Sequence, residues 1–231
     1  MERLVEPEWL DGLPASDPDA ARSREDLRRI NRLMGHVGIM ARLLRRADLG
    51  IGCCSLADLG AGDGSFALDL VRCLSPRIRI STVTLVDRVA LLSAEAHAGF
   101  VRTDCAVEAV CADVFTWLQE TRPATVMTAN LFLHHFDNEQ LARLLKLAAA
   151  QSEAFVACEP RRCWLSRTGS SLLGLLGCAA VTRHDAAVSV RAGFAGRELS
   201  RLWPEPSRWV LEESRAGLFS HSFLARRVAQ R

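Results

Sequence analysis

The stretch LADLGAGDG at residues 56–64 decides the fold, because it joins an apolar, strand-like run to a helical pattern at 65–74. Its three glycines, Gly60, Gly62 and Gly64, let the backbone turn tightly and approach a ligand without an intervening side chain. The N–H groups at the start of the following helix lack intrahelical partners and carry a partial positive charge. The stretch therefore predicts a ligand-binding turn at the end of a strand.

The spacing of the glycines separates two classes of cofactor. Dinucleotide-binding turns use G-x-G-x-x-G, in which the third glycine allows close packing of helix on strand. Here Ser65 stands at that third position, the glycines follow G-x-G-x-G, and Asp58 lies two residues before the first of them. A carboxylate there suits a ligand with an ammonium and a sulfonium group better than a pyrophosphate. The turn thus favours a cationic amino-acid cofactor over a nicotinamide dinucleotide, with a turn-capping role of Asp58 as the alternative.

Short apolar runs rich in β-branched residues alternate with helical stretches along the chain. This alternation predicts βαβ units, in which a mainly parallel sheet carries helices on both faces. Two further strand-like runs near the C-terminus are predicted to pair as an antiparallel edge, which gives seven strands in a doubly wound, Rossmann-like α/β fold. The predicted strands are Ser55–Leu59, Ile80–Val86, Val107–Cys111, Thr125–Ala129, Ala154–Cys158, Arg208–Glu212 and Phe219–Arg226, and the predicted helices are 65–74, 88–98, 114–120, 138–150, 163–180 and 196–203.

The N-terminal part is predicted to differ from this core. Residues 1–22 are rich in proline and acid and are expected to run extended over the surface, before a helix with Ser23 as its N-cap. Apolar residues at intervals of three and four form one stripe on this helix. The arginines beside the stripe form either a solvated basic face or part of a helix that gates the substrate. The stripe consists of Leu27, Ile30, Met34, Val37, Ala41 and Leu44.

The length suits one α/β domain over residues 1–231. Three parts are predicted within it. The first, 1–50, holds the N-terminal lead and helix, and the second, 51–160, is the cofactor-binding core. The third, 161–231, is predicted to bind the substrate that is not the cofactor, and it includes the two C-terminal strands.

Charge, apolar runs and cysteine spacing limit the classes of partner that the sequence predicts. The formal net charge is +2, too small for the clustered basic face of a nucleic-acid-binding protein. No apolar run approaches the roughly 20 residues that span a bilayer, and the N-terminus lacks the apolar run of a secretory signal. The eight cysteines form no C-x-x-C pair, so no metal site is predicted and reduced thiols in a cytoplasmic protein are expected. A peripheral membrane contact and the oligomeric state stay open.

The glycine turn resembles the first motif of the class I S-adenosylmethionine-dependent methyltransferases. Its D-x-G-x-G-x-G pattern matches through Asp58, Gly60, Gly62 and Gly64. The resemblance implies that these residues bind S-adenosylmethionine and that the chain is a methyltransferase.

Three further positions match that superfamily at the ends of the next strands, where ligands of open α/β sheets bind. The resemblance implies that Asp87 binds the ribose hydroxyls, that Asp113 contacts the adenine amino group, and that Asn130 lies at the boundary of cofactor and acceptor. A local role, such as capping a helix, is the alternative for Asp113 and Asn130. The segments RRINRLMG at 28–35 and EPRR at 159–162 resemble small bacterial methyltransferases of aromatic polyketide and phenolic-lipid pathways.

Two adjacent histidines, His134 and His135, follow the fourth strand. A phenolic acceptor has a pKa of about 10 and is mostly protonated at neutral pH, so a histidine general base within hydrogen-bond reach assists the transfer. Adjacent side chains diverge, which predicts that one of the two faces the acceptor. Ordering of the loop by the pair is the alternative.

The predicted function is transfer of a methyl group from S-adenosylmethionine to a small, hydrophobic, aromatic or polyketide-like acceptor, at oxygen. Methylation at carbon of a quinone-type precursor and a regulatory protein that binds the cofactor without catalysis are the alternatives. A nicotinamide oxidoreductase is disfavoured by Ser65.

Overall fold

Seven strands form one sheet in the part of the chain that the computed structural model describes, residues 2–14, 16–47, 49, 53–166, 173 and 177–228. The strand order is β3-β2-β1-β4-β5-β7-β6. The first five pair in parallel, and β7 runs antiparallel between β5 and β6. The strands are β1 (Cys53–Leu59), β2 (Arg79–Asp87), β3 (Ala106–Cys111), β4 (Ala124–Asn130), β5 (Ser152–Pro160), β6 (Trp209–Ala216) and β7 (Ser220–Arg227).

Helices cover both faces of this sheet. The described helices are α1 (Trp9–Gly12), α2 (Pro18–Met34), α3 (His36–Arg46), α4 (Ser65–Leu74), α5 (Ala94–Arg102), α6 (Val114–Glu120), α7 (Asn138–Ala150), α8 (Ala180–Ala192) and α9 (Glu198–Leu202), with short 3-10 turns at Leu133–His135 and Pro206–Arg208. The predicted Rossmann-like fold with an antiparallel edge is confirmed. None of the described helices combines the length and apolar character needed to cross a membrane.

Alternation along the central strands divides the core into two layers. Leu56 of β1 packs in the layer that contains α3 and α4, whereas its neighbour Ala57 packs in the layer that contains α6 and α7. Successive side chains of a strand point to opposite faces of the sheet, so a strand buried on both sides is apolar throughout. Each fully buried leucine of these layers contributes about 1.5–3 kcal/mol to folding. The two layers hold the sheet rigid and fix the strand ends where ligands bind.

The predicted helices at 65–74, 114–120 and 138–150 are confirmed to the residue. The start of the helix predicted at 88–98 is wrong, because Ser93 is the N-cap and its Oγ accepts a hydrogen bond from the Ala96 N–H. Residues 88–93 are therefore a loop.

The predicted N-terminal helix is wrong at its start and in its continuity. The helix begins at Pro18, because the Asp17 carboxylate caps it, and Gly35 in a left-handed conformation (φ 66°) separates α2 from α3. Ser23, predicted as the N-cap, lies buried inside α2 together with Asp26, which accepts hydrogen bonds from the Ala179 N–H and from a threonine hydroxyl of α8. Polar contacts to α8 therefore decide which side of α2 is buried.

The region after β5 departs most from the sequence prediction. The predicted helix at 163–180 lies largely outside the described residues. The helix that the structure does show, α8, was not predicted, because its buried residues include Thr182 and Asp185 and do not form an apolar stripe. The predicted helix at 196–203 is α9, and both C-terminal strands are confirmed.

Candidate functional site

The three glycines of the turn between β1 and α4 all have positive φ, 71° at Gly60, 55° at Gly62 and 77° at Gly64. A side chain at Gly60 would meet the Phe132 ring at 2.2 Å, and one at Gly64 would meet leucine methyl groups at 2.8 and 2.9 Å. These two glycines are therefore required by packing. A Cβ at Gly62 would meet nothing within 4 Å, so this position faces open space.

A small pocket lies beside Gly62, between the ends of β2 and β3. Asp87 stands at its edge and is half-buried. The Asp87 Oδ2 accepts a hydrogen bond from the Gly62 N–H at 2.9 Å, and Oδ1 accepts one from the Val89 N–H at 3.1 Å. Each carboxylate oxygen can accept a second hydrogen bond, so both keep capacity for ligand hydroxyls. Aliphatic side chains including Leu85 and Val110 line the rest and suit the faces of a flat heterocycle.

Replacement of Gly62 by alanine is expected to weaken cofactor binding by at least tenfold, because its Cβ enters the open space beside the pocket. Alanine at this positive φ also strains the backbone by about 1 kcal/mol, so the strain needs a control. Gly217, with φ 64° and equally free space, lies in the exposed turn between β6 and β7. Gly217→Ala should strain the chain similarly but leave the dissociation constant for S-adenosylhomocysteine unchanged in calorimetry. Equal affinities of the two variants would exclude the turn as the cofactor cradle.

Asp58 lies beneath the turn and is 2% exposed. Its Oδ1 accepts a hydrogen bond from the Thr128 hydroxyl at 2.6 Å. Burial raises the pKa of Asp58 to about 7, with the nearby Asp87 adding to the shift. This contact ties β1 to β4 under the glycine turn. A direct contact of Asp58 with a cofactor ammonium group stays a prediction.

Asp113 is exposed and caps α6, as Oδ1 accepts hydrogen bonds from the Phe115 and Thr116 N–H groups at 2.9 and 3.3 Å. The capping role considered as the alternative is thus present. A contact to adenine stays a prediction, and the second carboxylate oxygen, Oδ2, is the atom that would make it.

Asn130 ends β4 and belongs to a chain of hydrogen bonds that reaches α2. Its Oδ1 lies 2.8 Å from His36 Nδ1, and its Nδ2 donates to Asn31 Oδ1 at 3.3 Å. Burial lowers the pKa of His36, so the ring is neutral, donates from Nδ1, and accepts at Nε2 from the Ser220 hydroxyl at 2.9 Å. The amide of Asn130 is therefore held in one orientation at the edge of the sheet.

Helix α2 is also tied to the glycine turn. Arg28 Nη1 forms an ion pair with Asp63 Oδ2 at 2.8 Å, and Asn31, one turn further along, receives the hydrogen bond from Asn130. Both contacts place this face of α2 against the ligand-binding edge. Arg28 is thus more than part of a solvated face, and a gating role of the helix stays a prediction.

His134 is fully enclosed between two carboxylates. Its Nδ1 lies 2.8 Å from Glu159 Oε2, and its Nε2 lies 3.3 Å from Glu8 Oε1. Burial by itself lowers the pKa of His134, but the hydrogen bonds and charges of the two glutamates outweigh it and raise the pKa to about 9. The ring is therefore an imidazolium at neutral pH, and both N–H groups are occupied. This arrangement does not suit a general base.

His135 is the neutral member of the pair. Burial and the positive charge of His134 lower its pKa below the ordinary value. Its Nδ1 lies 3.5 Å from Asp11 Oδ2, and its side chain is 27% exposed. The ring of Phe132 lies beside it, with centroids 6.5 Å apart. Of the two predicted histidines, His135 has the protonation state and access that a base needs.

Glu159, at the end of β5, organises the loop that carries both histidines. Its Oε1 accepts hydrogen bonds from the Phe132 and Leu133 N–H groups at 3.0 and 2.8 Å, and Oε2 binds His134. The side chain is fully buried. The sequence predicted no role for this glutamate, which lies in the segment EPRR at 159–162. The sequence signal for it is an acid directly after the apolar run Ala154–Cys158, where burial requires a partner.

Glu8, His134 and His135 bring one potential ligand atom each within 4.8 Å of one another, a spacing that metal sites also show. In this case both ring nitrogens of His134 already face carboxylates, and the Arg3 guanidinium donates to the His134 carbonyl oxygen at 3.4 Å. The charges are thus matched by ion pairs, and we assign no metal to this cluster.

No family model matches the sequence, and no curated protein matches it either. Among solved structures, the plantazolicin methyltransferase BpumL in complex with SAH gives a TM-score of 0.64 at 14% identity, with 92% of each chain covered.

Two other solved structures show the same likeness. Magnesium protoporphyrin IX methyltransferase (ChlM) from Synechocystis PCC 6803 with bound SAM gives a TM-score of 0.55 at 11% identity, over 95% of this chain and 88% of that one. The riboflavin-analogue dimethyltransferase RosA from Streptomyces davawensis gives a TM-score of 0.59 at 18% identity, over 96% of this chain and 62% of that one. At such identities the likeness concerns the fold. The chain has the fold of the S-adenosylmethionine-dependent methyltransferases.

Proposed function

We propose that the protein transfers a methyl group from S-adenosylmethionine to a hydroxyl oxygen of a small, hydrophobic, aromatic or polyketide-like acceptor. The observation that carries this proposal is the open space at Gly62 beside a pocket edged by Asp87, with the neutral His135 after the neighbouring strand β4. The solved structures with this fold include methyltransferases with SAH or SAM bound.

The cofactor would be held by residues of the turn and of the two strand ends beside it. Gly62 gives it room, Asp87 offers two carboxylate oxygens to the ribose hydroxyls, and the aliphatic pocket covers the adenine. When bound, the cofactor supplies a methyl group already activated by a sulfonium. The protein then has to align the acceptor with this group and to exclude water, which accounts for much of the rate of such reactions.

Asp87→Ala should weaken the binding of S-adenosylhomocysteine by roughly ten- to a hundredfold, because a charged acceptor of hydrogen bonds contributes about 1.5–3 kcal/mol. Part of this loss would come from the turn itself, since the Gly62 N–H loses its acceptor. Asp69→Ala, which removes a carboxylate from α4 instead, is the control in the same titration. A loss of less than about twofold at Asp87 would place the ribose elsewhere.

The acceptor would meet His135 on the aromatic side of the loop after β4. The rings of Phe132 and Phe136 lie edge to face at 5.1 Å, and Phe132 reaches from Gly60 to His135. An apolar surface of this kind favours an aromatic acceptor. A neutral histidine there takes the proton of a phenol whose pKa is about 10.

Two measurements test the proposal. Calorimetric titration with S-adenosylhomocysteine and with NADH separates the two cofactor classes, and binding of NADH alone would overturn the proposal. Incubation with labelled S-adenosylmethionine and a library of phenols, followed by mass analysis, then identifies the product. Label on carbon would favour the quinone-type alternative. Binding of the cofactor without any product across the library would favour the regulatory one.

A further inference from the structure

The N-terminal segment, residues 2–13, is fastened to the protein close to the histidine pair. Arg3 Nε donates to the Ala192 carbonyl at 2.8 Å, and its Nη2 donates to the Phe136 carbonyl at 2.6 Å. The guanidinium also lies 4.7 Å from the centre of the Phe194 ring. The segment is thus anchored to the loop after β4 and to the end of α8.

A second anchor fixes helix α1. The N–H groups of Trp9 and Leu10 donate to the two oxygens of the buried Asp185 carboxylate at 2.8 and 3.0 Å. The Trp9 ring stacks on His184, with centroids 3.8 Å apart. An acidic group at the N-terminus of a helix is favoured by the helix dipole. Residues 8–12 are therefore held in place by α8.

These anchors bring one carboxylate to each histidine. Glu8 Oε1 lies 3.3 Å from His134 Nε2, and the same oxygen accepts a hydrogen bond from the Ser189 hydroxyl of α8. The contacts to His134 and Ser189 outweigh burial and lower the pKa of Glu8 to about 2. Asp11 faces His135 Nδ1 at 3.5 Å. Glu8 and Asp11, three positions apart in the segment, thus each contact one of the two adjacent histidines.

We propose that Asp11 is a positioning residue for His135, so that the general base is complete only when the N-terminal segment is docked. This inference rests on the proposed function. The charge of the Asp11 carboxylate, 3.5 Å from Nδ1, favours the neutral tautomer with its proton on that atom, which presents the lone pair of Nε2 to the acceptor hydroxyl. The division of roles between an orienting acid, a base and a hydroxyl follows the logic of catalytic triads.

The charges around His135 determine how a substitution shifts its titration. His134 and burial lower its pKa, whereas Glu8, Asp11 and Glu159 raise it. Asp11→Asn removes one of the raising charges. The pKa of His135 should therefore fall further, and the rising limb of the rate against pH should move to lower pH.

Asp11→Asn is compared with Glu6→Gln in the full-length protein. Glu6 lies on the same segment, pairs with Arg191, and has the same side-chain exposure as Asp11, 43%. We expect Asp11→Asn to lower kcat by up to about a hundredfold, the cost of a misplaced catalytic group, and to shift the rising limb of the pH profile, with an unchanged dissociation constant for S-adenosylhomocysteine. Glu6→Gln should leave all three quantities unchanged. Equal kcat and equal limbs in the two variants would overturn the inference.

Titration of the histidine ring signals by NMR, with S-adenosylhomocysteine bound, separates this inference from the proposed function. A lower pKa of His135 in Asp11→Asn than in Glu6→Gln supports the contact even if no acceptor is turned over, a result that would count against the methyl transfer instead. An unchanged pKa of His135 overturns the contact, whatever the turnover.

Discussion

His135→Gln should slow turnover by about 10²–10⁴ if the ring is the general base toward a hydroxyl acceptor. Glutamine keeps much of the size of histidine but cannot take up a proton. The wild-type rate should rise with pH as the ring loses its proton, at a pH below the ordinary histidine value because burial and His134 lower the pKa of His135. The variant should lack this limb. Steady-state kinetics over a range of pH, with the dissociation constant for S-adenosylhomocysteine measured beside it, checks both expectations.

His97→Gln is the matched control, because His97 lies exposed on α5 and the same substitution there should leave kcat and its pH profile unchanged. Methyl transfer to an already ionised carbon acceptor needs no base. Near-normal turnover of His135→Gln with an intact limb would therefore favour carbon methylation or catalysis by alignment alone.

His134→Gln should lower the free energy of unfolding by about 3–5 kcal/mol, because the substitution leaves the fully buried Glu159 and the partly buried Glu8 without their cation. The ring is 3% exposed and Glu159 is fully buried, so solvent cannot replace the lost charge. Denaturant unfolding at neutral pH measures the loss. His97→Gln is again the control.

In the double variant of His134→Gln with Glu8→Gln, the loss of unfolding free energy should be smaller than the sum of the two single losses, because the partners interact directly. Additive losses would mean that the two side chains are not coupled.

The pH dependence of stability follows from the same cluster. The pKa of His134 is raised to about 9. Its contribution to the free energy of unfolding is therefore complete below the pKa of histidine in the unfolded chain, about 6.5, and is lost as the pH rises through 9. Glu8, with a pKa lowered to about 2, contributes fully above its unfolded value and loses that contribution as the pH falls toward 2. The contact between the N-terminal segment and His134 is thus strongest in mildly acidic solution.

The sequence pattern predicted the central sheet well, because β1, β4 and β5 are buried over most of their length and helical stretches separate the strands. The helices at 65–74 and 138–150 begin at clear signals, a glycine turn before the first and a capping box of Asp137 and Gln140 at the start of the second. Failures occurred where polar contacts decide the packing. Helix α8 buries Asp185 because the backbone of residues 9 and 10 binds it, a partner that no local pattern could reveal.

The candidate site was predictable where one motif holds it. The glycine turn and Asp87 lie together, joined by a hydrogen bond. Which histidine remains neutral could not be read from the sequence, because the pKa of each depends on Glu8, Asp11 and Glu159, which are remote in the chain and meet only in the fold. Asp113 shows the opposite case, since its capping contacts are local.

The strand order has a consequence for synthesis on the ribosome. Strand β7 lies between β5 and β6, so β5 presents an unpaired edge until residue 227 has emerged, and such edges invite aggregation. The N-terminal segment also stays undocked until α8 has been synthesised, because the Leu4 N–H binds the Arg191 carbonyl and Glu8 binds Ser189, both in α8. The N-terminal segment therefore reaches its native contacts only after α8 has been synthesised, and β5 keeps an open edge until β7 has been synthesised.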